Sequence, residues 1–141
     1  MILLDTNVIA ELMRPAPLPA VVEWLNEQDS AQLLLSSITI AEIGYGLEIL
    51  PAGQRRAGLE MGFQKVIHAF SGRILSFDQE AAQHYGQLMG TRRAAGRPLG
   101  SLDGQIAAIA RSNGARVATR NVRDFDGCGV EVIDPFAERA P

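Results

Sequence analysis

Three acidic residues stand where strand-like and helix-like runs meet: Asp5 ends Ile2-Leu3-Leu4, Glu42 opens one helical pattern, and Asp103 opens another. Carboxylates drawn from distant segments repel one another and lose solvation when they converge, and a hard divalent cation makes such a cluster tolerable. The chemistry on offer is oxygen ligation of a magnesium-type ion. Each acid also has a local explanation. Thr39-Ile40-Ala41-Glu42 reads as a capping box, with Thr39 at the N-cap and Glu42 returning to its amide. Asp103, two residues after Ser101, suits a helix's first turn, where negative charge faces the helix dipole. It shares a stripe with the apolar Ile106, Ala107 and Ala110, however, and a carboxylate on a core-facing stripe needs a partner. Asp5, at an apolar strand end, needs one too, and Thr6 or Asn7 is available to cap the following helix in its place. One shared site explains more than three unrelated coincidences.

The elements that must position these residues alternate along the chain. Strand candidates are Ile2 to Leu4, Leu33 to Ser36, Arg73 to Leu75, Arg116 to Thr119 and Glu131 to Ile133. Helical patterns run from Asn7 to Met13, Pro19 to Asn26, Ile40 to Leu50, Gln54 to Phe70, Gln79 to Ala94 and Leu102 to Ser112. The alternation implies parallel βαβ units, most of them with two helices in the crossover. In such a sheet, ligands bind in the crevice outside the strands' carboxyl ends. Asp5 lies there directly, Glu42 follows the second strand, and Asp103 opens the helix that feeds the fourth, so topology alone gathers them. The segment Thr119-Arg120-Asn121-Val122-Arg123-Asp124-Phe125 leaves the fourth strand at the same edge. Asp124 can supply a fourth carboxylate or a water-mediated contact, while Thr119 and Asn121 can orient carboxylates by hydrogen bonding. An Asn and Asp turn is the local alternative.

Other acids have structural explanations. Asp78 precedes Gln79-Glu80-Ala81 as an N-cap, Asp134 before Pro135 suits a strand-ending turn, and Glu23, Glu27, Glu48 and Glu60 fit solvated helix faces. His68 and His84 lie in separate helical segments without a ligand-spaced partner.

The chain's 141 residues and 47% hydrophobic content suit a single domain over 1–141 with a sizeable core. No apolar run is long enough for a membrane span and the opening residues lack a basic signal region, so a soluble cytoplasmic protein without membrane attachment is expected. The lone Cys128 excludes an internal disulfide and a thiolate zinc site. A net charge of −3 argues against nonspecific coating of nucleic acid, yet all but one of the 13 basic residues are Arg, which grips phosphate bidentately. Trp24, Leu25, Leu47, Ile49, Leu50, Leu59, Met61 and Phe63 exceed what a small sheet needs, leaving some for a protein interface.

Together, Met1-Ile2-Leu3-Leu4-Asp5-Thr6-Asn7-Val8-Ile9, Ser37-Ile38-Thr39-Ile40-Ala41-Glu42, Asp103-Gly104-Gln105-Ile106-Ala107-Ala108 and Ala118-Thr119-Arg120-Asn121-Val122-Arg123-Asp124-Phe125 form a recognisable set. The chain resembles the PIN-domain nucleases, in particular the VapC and FitB-like ribonuclease toxins of type II toxin–antitoxin pairs, from residue 1 to about residue 136. The resemblance implies a three-layer α/β/α sandwich with a central parallel sheet of four or five strands and Mg²⁺- or Mn²⁺-dependent RNA cleavage. It also implies a homodimer, inhibition by a small cognate antitoxin, and contact with DNA only through that antitoxin. By position, Asp5, Glu42 and Asp103 match the family's metal site, with Asp124 as the fourth catalytic acid and Thr6, Thr119 and Asn121 as supporting polar groups. FitB-like relatives place an acid two residues after Thr119, where this chain has Asn121, an amide that supplies no negative charge. Arg92, Arg93 and Arg97 before Asp103, with Arg120 and Arg123, are expected to contact RNA phosphates; charges favourable to a helix C-terminus are the structural alternative for the first pair.

Two other functions fit the sequence less well. A phosphatase or phosphotransfer domain with Asp5 as nucleophile lacks the second acid expected at Asn7, and the only lysine, Lys65, lies in a helical pattern. A catalytically weak PIN-like module that binds antitoxin or RNA is the second, kept open by Asn121.

Overall fold

Ile2, Leu3 and Leu4 are all buried, so the first strand, β1 (Ile2–Leu4), has no face turned to water. Continuous burial of this kind belongs to the centre of a parallel sheet covered on both sides. A computed structural model, describing residues 1–137, places β1 between β2 (Leu33–Ser36) and β4 (Arg116–Ala118) and pairs it in parallel with both. β3 (Ile74–Leu75) and β5 (Val132–Ile133) complete a five-stranded parallel sheet in the order β3-β2-β1-β4-β5. The chain therefore builds outward from β1 to one side, then returns to add β4 and β5 on the other. The gap between the β1 and β4 carboxyl ends is the point where the winding reverses, and ligands bind at such points.

Alternate strand residues feed two apolar layers. Ile2, Leu4, Leu33 and Leu35 face a cluster with Val8, Val21, Trp24, Ile43, Leu47 and Phe63, contributed by α1 (Thr6–Leu12), α2 (Pro19–Asn26), α3 (Ser37–Glu48) and α4 (Gln54–Ala69). Leu3, Leu34 and Val117 face the other cluster, with Leu88 of α5 (Gln79–Ala94), Ile106 and Ile109 of α6 (Ser101–Ser112), and Phe125 of α7 (Val122–Phe125). The result is the expected α/β/α sandwich.

Close contact between α5 and α6 depends on Gly104. A methyl group there would lie 2.5 Å from Met89 Sδ and 3.1 Å from the Tyr85 ring, so it would have to push the Met89 tip aside. Gly104 follows Asp103 directly, in the first turn of α6.

The expected strands and long helices are present, four of them with the expected bounds and the others with ends moved by at most three residues. Two short elements were not anticipated: a 3₁₀ turn at Ser30–Gln32 and α7 itself. Asp124 therefore lies on a helical turn, whereas an irregular Asn and Asp turn was the alternative expected. Asp78 caps α5 by accepting from the Ala81 amide, and Asp134 accepts from the Phe136 amide, as anticipated for both. Of the surplus apolar residues, Trp24, Leu47 and Phe63 are buried, whereas Ile49 and Met61 are more than 60% exposed. No helix among the described residues is long and apolar enough to cross a membrane.

Candidate functional site

Asp5 follows β1 directly, and its carboxylate organises the ends of two strands. Oδ1 accepts from the Thr6 amide at 2.8 Å, which makes Asp5 itself the N-cap of α1 and corrects the expectation that Thr6 or Asn7 would cap it. Oδ2 accepts from Thr119 Oγ1 at 2.7 Å and from Asn7 Nδ2 at 3.2 Å. Asn7 also donates to Thr119 Oγ1 at 3.1 Å and accepts from the Arg120 amide at 3.1 Å. One amide thus ties the β1 end to the β4 end across the reversal point. Burial raises the Asp5 carboxyl above its ordinary value, the Thr119, Thr6 and Asn7 donors pull it back, and the Asp124 charge raises it further.

Glu42 reaches the same edge from α3. The capping box expected at Thr39 does not form: α3 starts earlier, at Ser37, and the buried Ser36 hydroxyl caps it by accepting from the Thr39 amide at 3.1 Å. Glu42 is consequently in the second turn, released from capping, and its Oε1 accepts from Thr6 Oγ1 at 3.0 Å. Thr6 meets Thr39 Oγ1 at 3.1 Å, and Ser36 Oγ donates to Thr39 Oγ1 at 3.3 Å. This run of hydroxyls fixes one Glu42 oxygen and leaves Oε2 without a protein donor among the described residues. Burial pushes the Glu42 carboxyl up, Thr6 lowers it, and the Asp5 charge raises it.

Asp103 enters from the first turn of α6, whose N-cap is Gly100 without a side-chain cap. Its carboxyl is pushed up to about 6 by burial first, then by the charges of Asp5, Asp124 and Glu42. These couplings place all four predicted acids in one electrostatic neighbourhood. None of the four takes part in an ion pair among the described residues. Asn121 does not substitute for an acid: it is exposed, its side chain caps nothing, and its amide donates to Thr119 Oγ1 at 3.0 Å.

A donor set made only of carboxylate and hydroxyl oxygens, with no cationic side chain to balance it, fits a hard divalent ion. As the side chains stand, no group of three or more His, Cys, Asp or Glu among the described residues is placed to hold a metal ion together.

The five predicted RNA-contacting arginines divide. Arg92 is buried at 6% exposure, and its guanidinium donates to the carbonyls of Arg97, Asp124 and Asp126, so the expected phosphate contact is corrected to a structural role. Arg97 pairs with Asp126 at 3.1 Å and donates to the Arg123 carbonyl. Arg120 lies 3.9 Å from the centre of the Phe136 ring and 3.9 Å from the Glu11 carboxylate. Arg93 and Arg123 are exposed and make no ion pair among the described residues.

Sequence reasoning missed Asn7, Ser36 and Thr39 as parts of the site. Asn7 carried a signal, adjacency to Asp5-Thr6. Ser36 and Thr39 carried one in their three-residue spacing, which competes with the Thr39–Glu42 spacing for the same helix start.

A parallel α/β sandwich whose reversal point gathers acids from four segments places a ligand site outside the carboxyl ends of its strands. Residues 2–127 match the model of the PIN domain, and the chain belongs to that family. It is 42% identical to VapC ribonuclease Y4jK of Sinorhizobium fredii over 96% of this chain and 98% of that protein. It is 39% identical to Toxin FitB of Neisseria gonorrhoeae over 96% and 99%. The solved structure of FitAB bound to the IR36 DNA fragment superposes with a TM-score of 0.90 at 38% identity, covering 99% of each chain.

Proposed function

We propose that this chain is a metal-dependent endoribonuclease, the toxin of a toxin–antitoxin pair, which hydrolyses RNA phosphodiester bonds with metal-activated water. The observation that carries this reading is the convergence of Asp5, Glu42, Asp103 and Asp124 at the sheet's reversal point with no ion pair to any of them among the described residues. The ribonuclease and toxin names of its relatives supply the substrate class and the biological role.

Asp5 and Asp103 would hold Mg²⁺ or Mn²⁺ directly, with Glu42 and Asp124 acting through water. Bound there, the ion would lower the pKa of a coordinated water and offset charge developing on phosphate. Asp5 has about four acceptor positions when ionised, and three are taken by Thr6, Asn7 and Thr119, so its orientation is fixed while one position stays open. The unengaged Glu42 oxygen orients the attacking water. Asp103 takes part as a carboxylate, so protons compete with the metal there and binding weakens as the pH falls below about 6. Arg93 and Arg123, exposed and without an ion pair among the described residues, bind backbone phosphates nearby. The protein works as a homodimer, is held inactive by a small cognate antitoxin, and reaches DNA only through that antitoxin.

Incubation of purified protein with RNA in Mg²⁺, Mn²⁺ or EDTA tests the reading. Cleavage should require the metal and be lost in Asp5→Asn and Asp103→Asn variants that still fold. Undiminished cleavage in EDTA, or in either variant, would overturn it.

A further inference from the structure

α7 is four residues long, Val122–Phe125, and a helix of that length does not sustain itself. Each of its carbonyls needs a partner from outside, because an α-helix leaves its last four unsatisfied. The Cys128 amide serves the Phe125 carbonyl, and two guanidiniums, from the end of α5 and the loop after it, serve those of Arg123 and Asp124. Arg92 Nη1 donates to the Asp124 carbonyl at 2.9 Å and to the Asp126 carbonyl, while its Nε donates to the Arg97 carbonyl at 2.7 Å. Arg97 Nη2 donates to the Arg123 carbonyl at 3.2 Å, and its Nη1 pairs with the Asp126 carboxylate. Cations at this end also complement the helix dipole. Phe125, with no exposure, anchors the turn from its apolar side.

Asp124 is the acid on that turn, and its charge is felt at both Asp5 and Asp103. Its side chain is exposed and has no hydrogen-bonding partner among the described residues. Only the backbone beneath it fixes where that carboxylate sits. We infer that Arg92, assisted by Arg97, is a positioning residue for the acidic site: the guanidinium clamp on the α7 carbonyls holds Asp124 in range of Asp5 and Asp103. The inference rests on the proposed metal site only in taking Asp124 as one of its members. Arg92 acts from beneath the site and touches neither metal nor RNA.

Mn²⁺ titration by calorimetry reads this without relying on RNA cleavage. Arg92→Lys keeps the charge and loses the fork, and Arg97→Ala removes an exposed partner; both should fold, which thermal melts check. Arg92→Lys should weaken Mn²⁺ binding by roughly ten-fold, as loss of a supporting partner does, and Arg97→Ala should weaken it less. Asp124→Asn should weaken it comparably, and adding Arg92→Lys to Asp124→Asn should change affinity by less than about two-fold, because both act through one carboxylate. Unchanged affinity in Arg92→Lys, or additive losses in the double variant, would overturn the positioning role. A wild-type protein that binds no Mn²⁺ would overturn the metal site as well, whereas one that binds Mn²⁺ but leaves RNA intact would overturn the nuclease reading alone.

Discussion

Burial and three neighbouring carboxylates raise Asp103 from an ordinary 3.8 to about 6. The folded protein therefore holds this proton more tightly than the unfolded chain. Its contribution to stability is present below pH 3.8 and is lost as the pH rises through about 6. At neutral pH the metal-free protein bears the whole penalty. Asp103→Asn keeps the shape and removes the charge, so in EDTA at neutral pH it should melt above the wild type, with the difference vanishing toward pH 4. The same variant should lose metal-dependent cleavage. Equal melting temperatures at neutral pH would show that the carboxylate cluster carries no strain. The sequence pointed to Asp5, Glu42 and Asp103 because a charge at a strand end needs an explanation even in a bare string of letters. Asn7 and Ser36 were harder to see: a neutral polar residue has many uses, and one essential partner of Asn7 lies 112 positions away.

Neighbouring helices offer paired glycine substitutions with opposite signs. In α6, Gly104→Ala gains at most about 1 kcal/mol of helix propensity but meets Met89 and Tyr85 at contact distances below van der Waals range. The Met89 tip can swing aside, but the Tyr85 ring at 3.1 Å is stiffer and overpacking costs typically about 1–3 kcal/mol, so urea unfolding should show a lower midpoint. In α5, Gly90→Ala meets nothing within 4 Å and should raise the midpoint, by about 0.5–1 kcal/mol in stability. A stabilised Gly104→Ala variant would show that the α5–α6 contact gives way easily. Asp103 sits beside Gly104, so Gly104→Ala should also weaken metal binding. At this scale the long elements were legible because apolar spacing repeats through them. The start of α3 was not, because Ser36-x-x-Thr39 and Thr39-x-x-Glu42 both resemble caps and the choice depends on Ser36 being buried. Nor was α7, which is too short to show a period and is held by arginines distant in the chain.

Across the whole molecule, the sheet order decides what metal binding does to stability. An ion held by residues following β1 and β4, together with α3 and α6, joins segments that unfolding separates, and binding only the folded state stabilises it by mass action. Saturating Mn²⁺ should raise the melting temperature, by about 2.7 kcal/mol in stability at a hundred times the dissociation constant, and EDTA should reverse it. Asp103→Asn should show no such rise; a rise of equal size there would move the ion elsewhere. The two-helix crossovers made a parallel sheet legible from sequence, but its order was not, since alternation does not say on which side of β1 a later strand lands. That order also has a temporal side. β1 is synthesised first, yet it pairs with β4, and the Asp5–Thr119 bond spans 114 positions. A chain still short of Arg116 on the ribosome holds Asp5, Glu42 and Asp103 but neither the strand nor the hydroxyl that fixes the first of them. The central placement of the first strand thus delays assembly of this edge until β4 has been made.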